Sequence, residues 1–450
     1  MRILFPIYRF NWYRTLAPVV DEALRRGHEV VCLHNHSPGN YRSNQPSERM
    51  FPRFRHGSPE VLIYRTEREL DYQMVRDHSP FDAIVSIDLP LRRWLDGEAW
   101  KKRTARYCAV TTTDTLKRLY DRTAVESVDL FAVRSEWERE STVLNHTENL
   151  SSLAERARKA GRDGGLTLSF VEPRLGREWD SATVAEFRSR CRICGYPLLD
   201  AAALIDSRTV RERWGLDPAQ PVVGLWSTSA AGRGPMADWD HLFGERRWWR
   251  FRAKSIRAYG WDGRRHPFIN EEKVVRAVRE FAHRNGALLL VKLRHYQDAD
   301  TVFGRLADAV VKEDSFYPHS ALELAAVSDL MVGAGTSGTP EAVWMGSPVL
   351  DWVTPGSQRE LRNEALRFGE GMWDWPGVVH SVSGEGLPEM LAEQTLDFFR
   401  LNEAARHDYQ LRYCGPTGGG FAANVVDALE DSFAPSGQSG DRALSEGPTG

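Results

Sequence analysis

The chain is 450 residues long; 42% of its residues are hydrophobic and 27% are charged. A chain of this length usually divides into more than one domain, each with its own hydrophobic core. Its composition is not that of a disordered chain, so we predict two folded domains. The formal net charge of −3 excludes the general basic excess that proteins use to bind nucleic acid.

Strand-like and helix-like segments alternate in the first half of the chain, which is the pattern of a parallel sheet covered by helices on both faces. A strand over residues 2–7 is followed by a helix over 14–26, which Gly27 ends before a strand over 29–33. Four further short apolar strands are predicted over 61–64, 81–87, 105–110 and 129–133. We therefore expect a first sheet of five or six strands.

A charged, mostly helical stretch follows over residues 136–207, with its clearest helices over 151–160 and 181–192. The alternation then restarts, with strands over 221–226, 287–294, 330–333 and 348–352. The predicted helices of this half cover 271–284, 298–311, 320–326, 340–345 and 387–411. These patterns predict an N-terminal domain at 1–206, a C-terminal domain at 207–385, a C-terminal helix at 386–432 and a disordered tail at 433–450.

Five cysteines do not make a disulfide framework, and Cys191 with Cys194 lacks the second pair that a structural zinc site needs. No run approaches the roughly 18 apolar residues of a membrane span, so we expect a cytoplasmic protein. The run over 245–252 mixes arginines with aromatic residues. It suits either a phosphate-rich or headgroup-bearing acceptor or an amphipathic surface segment, so peripheral contact with the inner membrane face stays open.

The most informative segment is a Gly-, Thr- and Ser-rich turn, residues 333–340, which we call the bend. It follows an apolar strand, and Pro340 then stands where the first turn of a helix tolerates proline. Such a turn exposes backbone N–H groups and hydroxyls at the positive end of a helix, which suits a phosphate or diphosphate. The predicted phosphate contacts are Gly335, Thr336, Ser337, Gly338 and Thr339.

Glu341 lies one step into the helix that follows, where its carboxylate can accept hydrogen bonds from ribose hydroxyls. The alternative is an ordinary capped turn, in which Glu341 only complements the helix dipole.

Residues 328–342 and the following Trp344–Leu350 run, WMGSPVL, resemble the C-terminal donor-binding segment of the GT-B superfamily. That superfamily includes glycosyltransferases, nonhydrolysing UDP-N-acetylglucosamine 2-epimerases and CDP-glycerol glycerophosphotransferases. The likeness covers about residues 221–352 and, more loosely, 1–36. It implies an α/β, GT-B-like fold of two Rossmann-like domains that face each other across a cleft, with the C-terminal helix crossing back to the N-terminal domain. It also implies a reaction without metal or other cofactor.

Basic residues end the strand predicted over 287–294. Lys292 and Arg294 stand where the glycerophosphotransferase-like enzymes carry a basic residue followed by Pro-His, although this chain has Lys-Leu-Arg-His-Tyr. A cationic pair there can neutralise a leaving nucleotide diphosphate, and the alternative is surface ion pairing with Asp298 or Asp300.

Three further residues complete the predicted donor site. Ser227 and Thr228 belong to a strand and turn that resemble the opening of the C-terminal domain in the superfamily. His319 precedes a predicted helix, where it either contacts the donor or caps that helix.

A group-transfer enzyme needs a general base to take the proton of the acceptor hydroxyl, and His or Asp at a strand end has suitable chemistry. In the N-terminal domain Asp88 is our first candidate, followed by His34 and Asp114. The alternatives are that Asp88 caps a helix and that His34 is a polar loop residue with its hydrogen bonds satisfied.

These inferences combine into one hypothesis. The chain is expected to be a glycosyltransferase that moves a sugar from a nucleotide-activated donor, held by the C-terminal domain, to a hydroxyl-bearing acceptor on the N-terminal domain. Surface polysaccharide or glycoconjugate synthesis is the expected setting. The alternatives are a CDP-alditol phosphotransferase, a nucleotide-sugar epimerase or hydrolase with the same fold, and an inert module that binds a nucleotide or sugar.

Overall fold

The computed structural model describes residues 1–36, 51–66, 69, 81–87, 105–112, 125–147, 179–227, 271–293, 301–312, 315–353, 371–383 and 386–433. These residues form two parallel sheets with helices packed against them. The prediction of an α/β chain with two Rossmann-like units is confirmed. The predicted tail at 433–450 lies outside the described residues except for Phe433.

In the part of the chain that the structure describes, the first sheet contains seven strands in the order β3-β2-β1-β4-β5-β6-β7, and every neighbouring pair is parallel. Its strands are β1 (Arg2–Ile7), β2 (Glu29–Asn35), β3 (Glu60–Tyr64), β4 (Ala83–Ser86), β5 (Arg106–Val110), β6 (Leu130–Val133) and β7 (Cys191–Ile193). The strand order reverses between β1 and β4, which is the position where open α/β sheets bind ligands.

Among the described residues the second sheet contains six parallel strands in the order β10-β9-β8-β11-β12-β13. Its strands are β8 (Val222–Trp226), β9 (Leu288–Lys292), β10 (Ala309–Val311), β11 (Leu330–Gly333), β12 (Val349–Val353) and β13 (Val379–Ser383). Here the order reverses between β8 and β11. Both strands are buried along their whole length, as expected where helices cover both faces of a parallel sheet.

The α-helices of the described residues lie between and after these strands. They are α1 (Tyr13–Arg25), α2 (Glu136–Thr147), α3 (Ser181–Arg190), α4 (Ser207–Arg213), α5 (Glu271–Arg284), α6 (Val302–Leu306), α7 (Ser320–Val327), α8 (Thr339–Met345), α9 (Leu387–Glu393), α10 (Glu403–Tyr413) and α11 (Phe421–Phe433). None of the helices that the structure describes is long and apolar enough to cross a membrane.

Some predicted boundaries are wrong, and the errors fall mainly at sheet edges. The helix predicted over 298–311 ends at Leu306, and Ala309–Val311 forms β10 instead. The helix predicted to reach residue 192 ends at Arg190, because Cys191 enters β7. β13 also adds a strand that the sequence pattern does not predict. The helix predicted over 151–160 lies outside the described residues.

The single long helix predicted over 387–411 is wrong. Residues 387–413 form α9, a 3-10 helix over Leu396–Phe399, and α10. Extended backbone at Gln394 and Thr395 ends α9, and the Asn402 side chain accepts a hydrogen bond from the Ala405 N–H to begin α10. A further helix, α11, follows and packs against α1 and the first sheet.

All five cysteines are free and buried. Burial raises the pKa of the Cys191 thiol above its usual range and that of the Cys194 thiol to about 12. Within the described ranges no three His, Cys, Asp or Glu side chains are grouped so as to hold a metal ion. These two residues therefore behave as interior side chains rather than as reactive thiols.

The chain returns from the second sheet to the first just after α10. Arg134 and Ser135, which follow β6, donate hydrogen bonds to the carbonyls of Tyr413 and Arg412 at 3.3 and 2.5 Å. The Tyr196 N–H donates to the Cys414 carbonyl at 2.8 Å. The crossing is therefore held by hydrogen bonds to backbone carbonyls at consecutive residues.

We predict that Gly415→Ala damages this crossing. Gly415 has φ +121°, and an added Cβ would lie 2.5 Å from the Gly195 Cα and 2.6 Å from the Arg134 carbonyl oxygen. Because backbone strain and overpacking both contribute, the free energy of unfolding should fall by about 3 kcal/mol or more in denaturant titrations.

Gly418→Ala is the matched control. Gly418 has nearly the same φ, +119°, but an added Cβ meets nothing within 4 Å. It should lose only about 1 kcal/mol, from backbone strain. Equal losses in the two variants would show that the crossing is not tightly packed at Gly415.

Candidate functional site

The bend lies where the strand order of the second sheet reverses. β11 ends at Gly333, the bend follows, and α8 begins at Thr339 with Pro340 in its first turn. β8, the neighbour of β11, ends beside it at Trp226. The bend therefore occupies the carboxyl edge of the sheet at its switch point, which is the usual ligand position in this architecture.

The indole ring of Trp226 packs against the bend. A Cβ on Gly333 would lie 2.8 Å from Trp226 Cε3, and one on Gly338 would lie 3.1 Å from Trp226 Cζ2. Glycine at these two positions lets the backbone approach the ring. Trp226 thus supports the bend from within the protein, a role that its place at the end of an apolar strand does not reveal in the sequence.

Several polar groups of the bend are bonded to each other. The Gly338 N–H donates to Thr336 Oγ1 at 3.1 Å, and the buried Thr339 hydroxyl donates to the Thr336 carbonyl at 3.0 Å. The Trp373 indole N–H donates to that same carbonyl at 3.0 Å. Two of the predicted phosphate-binding groups, the Gly338 N–H and the Thr339 hydroxyl, are thus already engaged.

The tip of the bend keeps N–H donors that have no partner among the described residues. Ser337 is exposed and Thr336 is half-buried. Their two backbone N–H groups donate to no atom of the residues that the structure describes. Of the predicted phosphate contacts, Thr336 and Ser337 therefore present the N–H groups best able to bind an anion.

Asp351 holds the bend from the neighbouring strand. It lies in β12 opposite Gly333, its side chain is completely buried, and both carboxylate oxygens accept from the Gly335 N–H at 2.6 and 2.9 Å. The Gly335 amide is thus unavailable to a ligand. Burial raises the pKa of Asp351 to about 7, an effect that the hydrogen bond from Gly335 opposes. Sequence reasoning missed this residue; the signal was one carboxylate inside an apolar strand.

The raised pKa predicts a pH-dependent stability difference between wild type and Asp351→Asn. An unfolded aspartate has a pKa of about 3.9, so between about pH 4 and 7 the folded chain keeps a proton that the unfolded chain releases. As pH rises through this range, the free energy of unfolding of wild type therefore falls, by at most about 1.4 kcal/mol per pH unit. Above the pKa of Asp351 in the folded state it falls no further for this reason.

Asparagine keeps an acceptor oxygen but does not titrate. Denaturant unfolding at pH 5, 6, 7 and 8 should show the variant gaining stability relative to wild type up to about pH 7 and then levelling off. Parallel stability curves across that range would contradict the assigned environment of Asp351.

His319 and Glu341 form a buried pair. His319 caps α7: its Nδ1 accepts from the Leu322 N–H at 3.3 Å, so the neutral ring carries its proton on Nε2. That Nε2 lies 3.4 Å from Glu341 Oε2. The cap proposed as the alternative for His319 is therefore present, and the ring is too buried to contact a ligand in this conformation.

Glu341 lies close to the first half of the chain. Burial first, and then the charge of Glu341, raise the pKa of the Tyr196 hydroxyl. Tyr196 follows β7 and packs beneath the Arg134 guanidinium. The carboxylate predicted to bind ribose therefore lies in the interior where the two halves meet; its ribose contact remains a prediction.

Lys292 and Ser227 lie side by side at the carboxyl edge of the second sheet. The Ser227 N–H donates to the Lys292 carbonyl at 3.1 Å, and both side chains are buried. The Lys292 ammonium donates to the Leu293 carbonyl at 2.7 Å, so it is turned along its own strand end. The other predicted donor contacts there, Thr228 and Arg294, lie outside the described residues.

Of the candidate bases, the structure describes only His34, because Asp88 and Asp114 lie outside the described residues. His34 is buried at the end of β2, and its Nε2 lies 2.5 Å from the Tyr13 hydroxyl. Burial lowers its pKa to about 3, so the ring is neutral near pH 7. The identity of the base stays a prediction.

A hydrogen-bonded cluster joins the two halves near His319. The Tyr317 hydroxyl donates to Asp21 of α1 at 3.2 Å, and Arg55 donates to the same carboxylate at 2.7 Å. Burial acts to raise the pKa of Asp21, but the hydrogen bonds and charge of Arg55 outweigh it and lower the pKa. The segment that leads into α7 is therefore anchored on the first half of the chain.

No protein-family model matches the chain, and no curated protein matches it. Solved structures do match over nearly the whole length. UDP-GlcNAc 2-epimerase from Neisseria meningitidis, bound to UDP-GlcNAc, is similar with a TM-score of 0.52 and 10% identity, over 96% of this chain and 100% of that one.

Two further solved structures are similar to the same extent. The wall teichoic acid polymerase TagF has a TM-score of 0.51 and 12% identity, over 96% and 89% of the two chains. MnaA from S. aureus, with UDP, has a TM-score of 0.51 and 11% identity, over 95% and 96%. The chain has a GT-B-like fold. At these identities the likeness shows the fold alone, and it confirms the fold class that the bend and its neighbouring strands predicted.

Proposed function

We propose that this protein is a GT-B-type glycosyltransferase that moves a sugar from a nucleotide-activated donor to a hydroxyl-bearing acceptor. The observation that carries the proposal is the bend: free N–H groups of Thr336 and Ser337 at the switch point of the second sheet, close to the buried Glu341. Backbone N–H groups at such a position suit the diphosphate of a nucleotide.

The similar structures support the donor class. Two of them are described as holding UDP-GlcNAc and UDP, and the third is a polymerase of wall teichoic acid. The epimerase and the polymerase are enzymes of the same fold, which supports an enzyme that acts on a nucleotide-activated compound. Surface polysaccharide or glycoconjugate synthesis is the setting we propose.

The proposed chemical roles divide between the two halves of the chain. The second half of the chain binds the donor, with Thr336 and Ser337 on the phosphates and Glu341, oriented by His319, on the ribose. Lys292 and Arg294 neutralise the leaving diphosphate, so the reaction proceeds without metal or other cofactor. The first half binds the acceptor, and Asp88 takes its proton, with His34 and Asp114 as the other candidates.

A nucleotide-sugar epimerase is the second candidate, because UDP-GlcNAc 2-epimerases are among the similar structures. Incubation with the donor alone separates the two reactions: an epimerase forms an epimer without any acceptor. An inert binding module forms no product at all, and neither Lys292→Ala nor Asp88→Ala then has an activity to abolish. A CDP-alditol phosphotransferase is recognised by transfer from a CDP donor.

The first test is ligand stabilisation. We expect at least one of UDP, CDP, GDP and their sugar conjugates to raise the melting temperature, since a ligand at 100 times its Kd stabilises a native protein by about 2.7 kcal/mol. If the Glu341 carboxylate binds ribose, Glu341→Gln should lower the affinity for the nucleotide that stabilises wild type. A flat response to every nucleotide would contradict the donor site; unchanged affinity in Glu341→Gln would contradict only the ribose contact.

A further inference from the structure

The shape of the bend depends on groups outside it. Gly335 adopts a left-handed backbone with φ +55°, and its N–H is turned to the Asp351 carboxylate in the neighbouring strand. Trp373 donates to the Thr336 carbonyl, and the ring of Trp226 lies against Gly333 and Gly338. The two free N–H groups of Thr336 and Ser337 follow directly on the residue that Asp351 holds.

Asp351 is too deeply buried to touch a ligand. None of its surface is exposed, and it bonds the bend from the side of β12. Burial of a carboxylate is costly, and a neutral acceptor would satisfy one N–H at less cost. Unlike an acceptor with one oxygen, the Asp351 side chain offers two oxygens to the Gly335 N–H, at 2.6 and 2.9 Å. This arrangement limits the directions in which the Gly335 N–H can point.

We propose that Asp351 is a positioning residue for the donor phosphates: by fixing the Gly335 amide it orients the N–H groups of Thr336 and Ser337 toward them. This inference rests on the proposed function, because it requires that the bend binds phosphate. Asp351 acts through the backbone and makes no contact with the nucleotide. Its effect is to preorganise the backbone of the bend, so that ligand binding does not have to offset the entropy lost in ordering the bend.

The test is the affinity of Asp351 variants for UDP and CDP, measured by isothermal titration calorimetry. Asp351→Ala removes both acceptor oxygens and should weaken nucleotide binding about tenfold or more, because the buried Gly335 N–H then loses its acceptor. Asp351→Asn keeps one acceptor oxygen for the Gly335 N–H but replaces the second with an NH2 group, so its nucleotide affinity should lie between those of wild type and Asp351→Ala.

Asp329→Ala is the matched control. Asp329 also accepts from a backbone N–H, that of Val222 at 2.8 Å, but at the opposite edge of the same sheet where β8 and β11 begin. Its variant should lose stability without a comparable loss of nucleotide affinity. Equal losses of affinity in Asp329→Ala and Asp351→Ala would show a general structural effect and overturn the assignment.

Asp351→Val is a second variant, for the case that the alanine variant does not fold. Valine has similar volume and favours strands, so the core stays filled, yet it offers no acceptor to Gly335. Its nucleotide affinity should fall as far as predicted for alanine. Wild-type affinity in Asp351→Val overturns the positioning role and leaves the proposed function intact, whereas failure of wild type itself to bind any nucleotide overturns the proposed function.

Discussion

All strands of a parallel sheet end at the same edge, and this constraint decides where the polar chemistry of this chain lies. The strand interiors are buried on both faces, so polar groups gather where strands end. In the second sheet that edge brings together Ser227, Lys292, the bend and Asp351, which are far apart in sequence. The free N–H groups of the bend, its indole support and its carboxylate anchor all depend on this alignment.

The edge of the second sheet carries buried ionisable groups, each of which lies against a polar partner. The Asp351 carboxylate binds the Gly335 amide, Glu341 lies against His319, and the Lys292 ammonium binds a carbonyl. Such burial costs stability unless hydrogen bonds offset it, and it also holds these groups in fixed positions. Two residues before His319, the Tyr317 hydroxyl donates a hydrogen bond to Asp21 in the first half of the chain. The region of the candidate site is therefore also where the two halves of the chain contact each other.

Sequence patterns predict the buried central strands well, and the strands that they miss lie at sheet edges. β1, β8 and β11 are continuous apolar runs and were predicted almost to the residue, whereas β7, β10 and β13 are edge strands that are short or interrupted by polar residues. The bend was predictable because its glycines, hydroxyls and proline are local signals. Asp351 was not, because its partner lies sixteen residues away and is set only by the β11–β12 register.

In the proposed site, the amides of Thr336 and Ser337 bind the phosphates of a nucleotide. Backbone amide chemical shifts of the assigned, deuterated protein during titration with UDP test it most directly. These two amide protons should move downfield and show some of the largest changes in the spectrum, as expected for N–H groups that donate to an anion. Binding of UDP that leaves both amides unmoved and shifts residues elsewhere would contradict it.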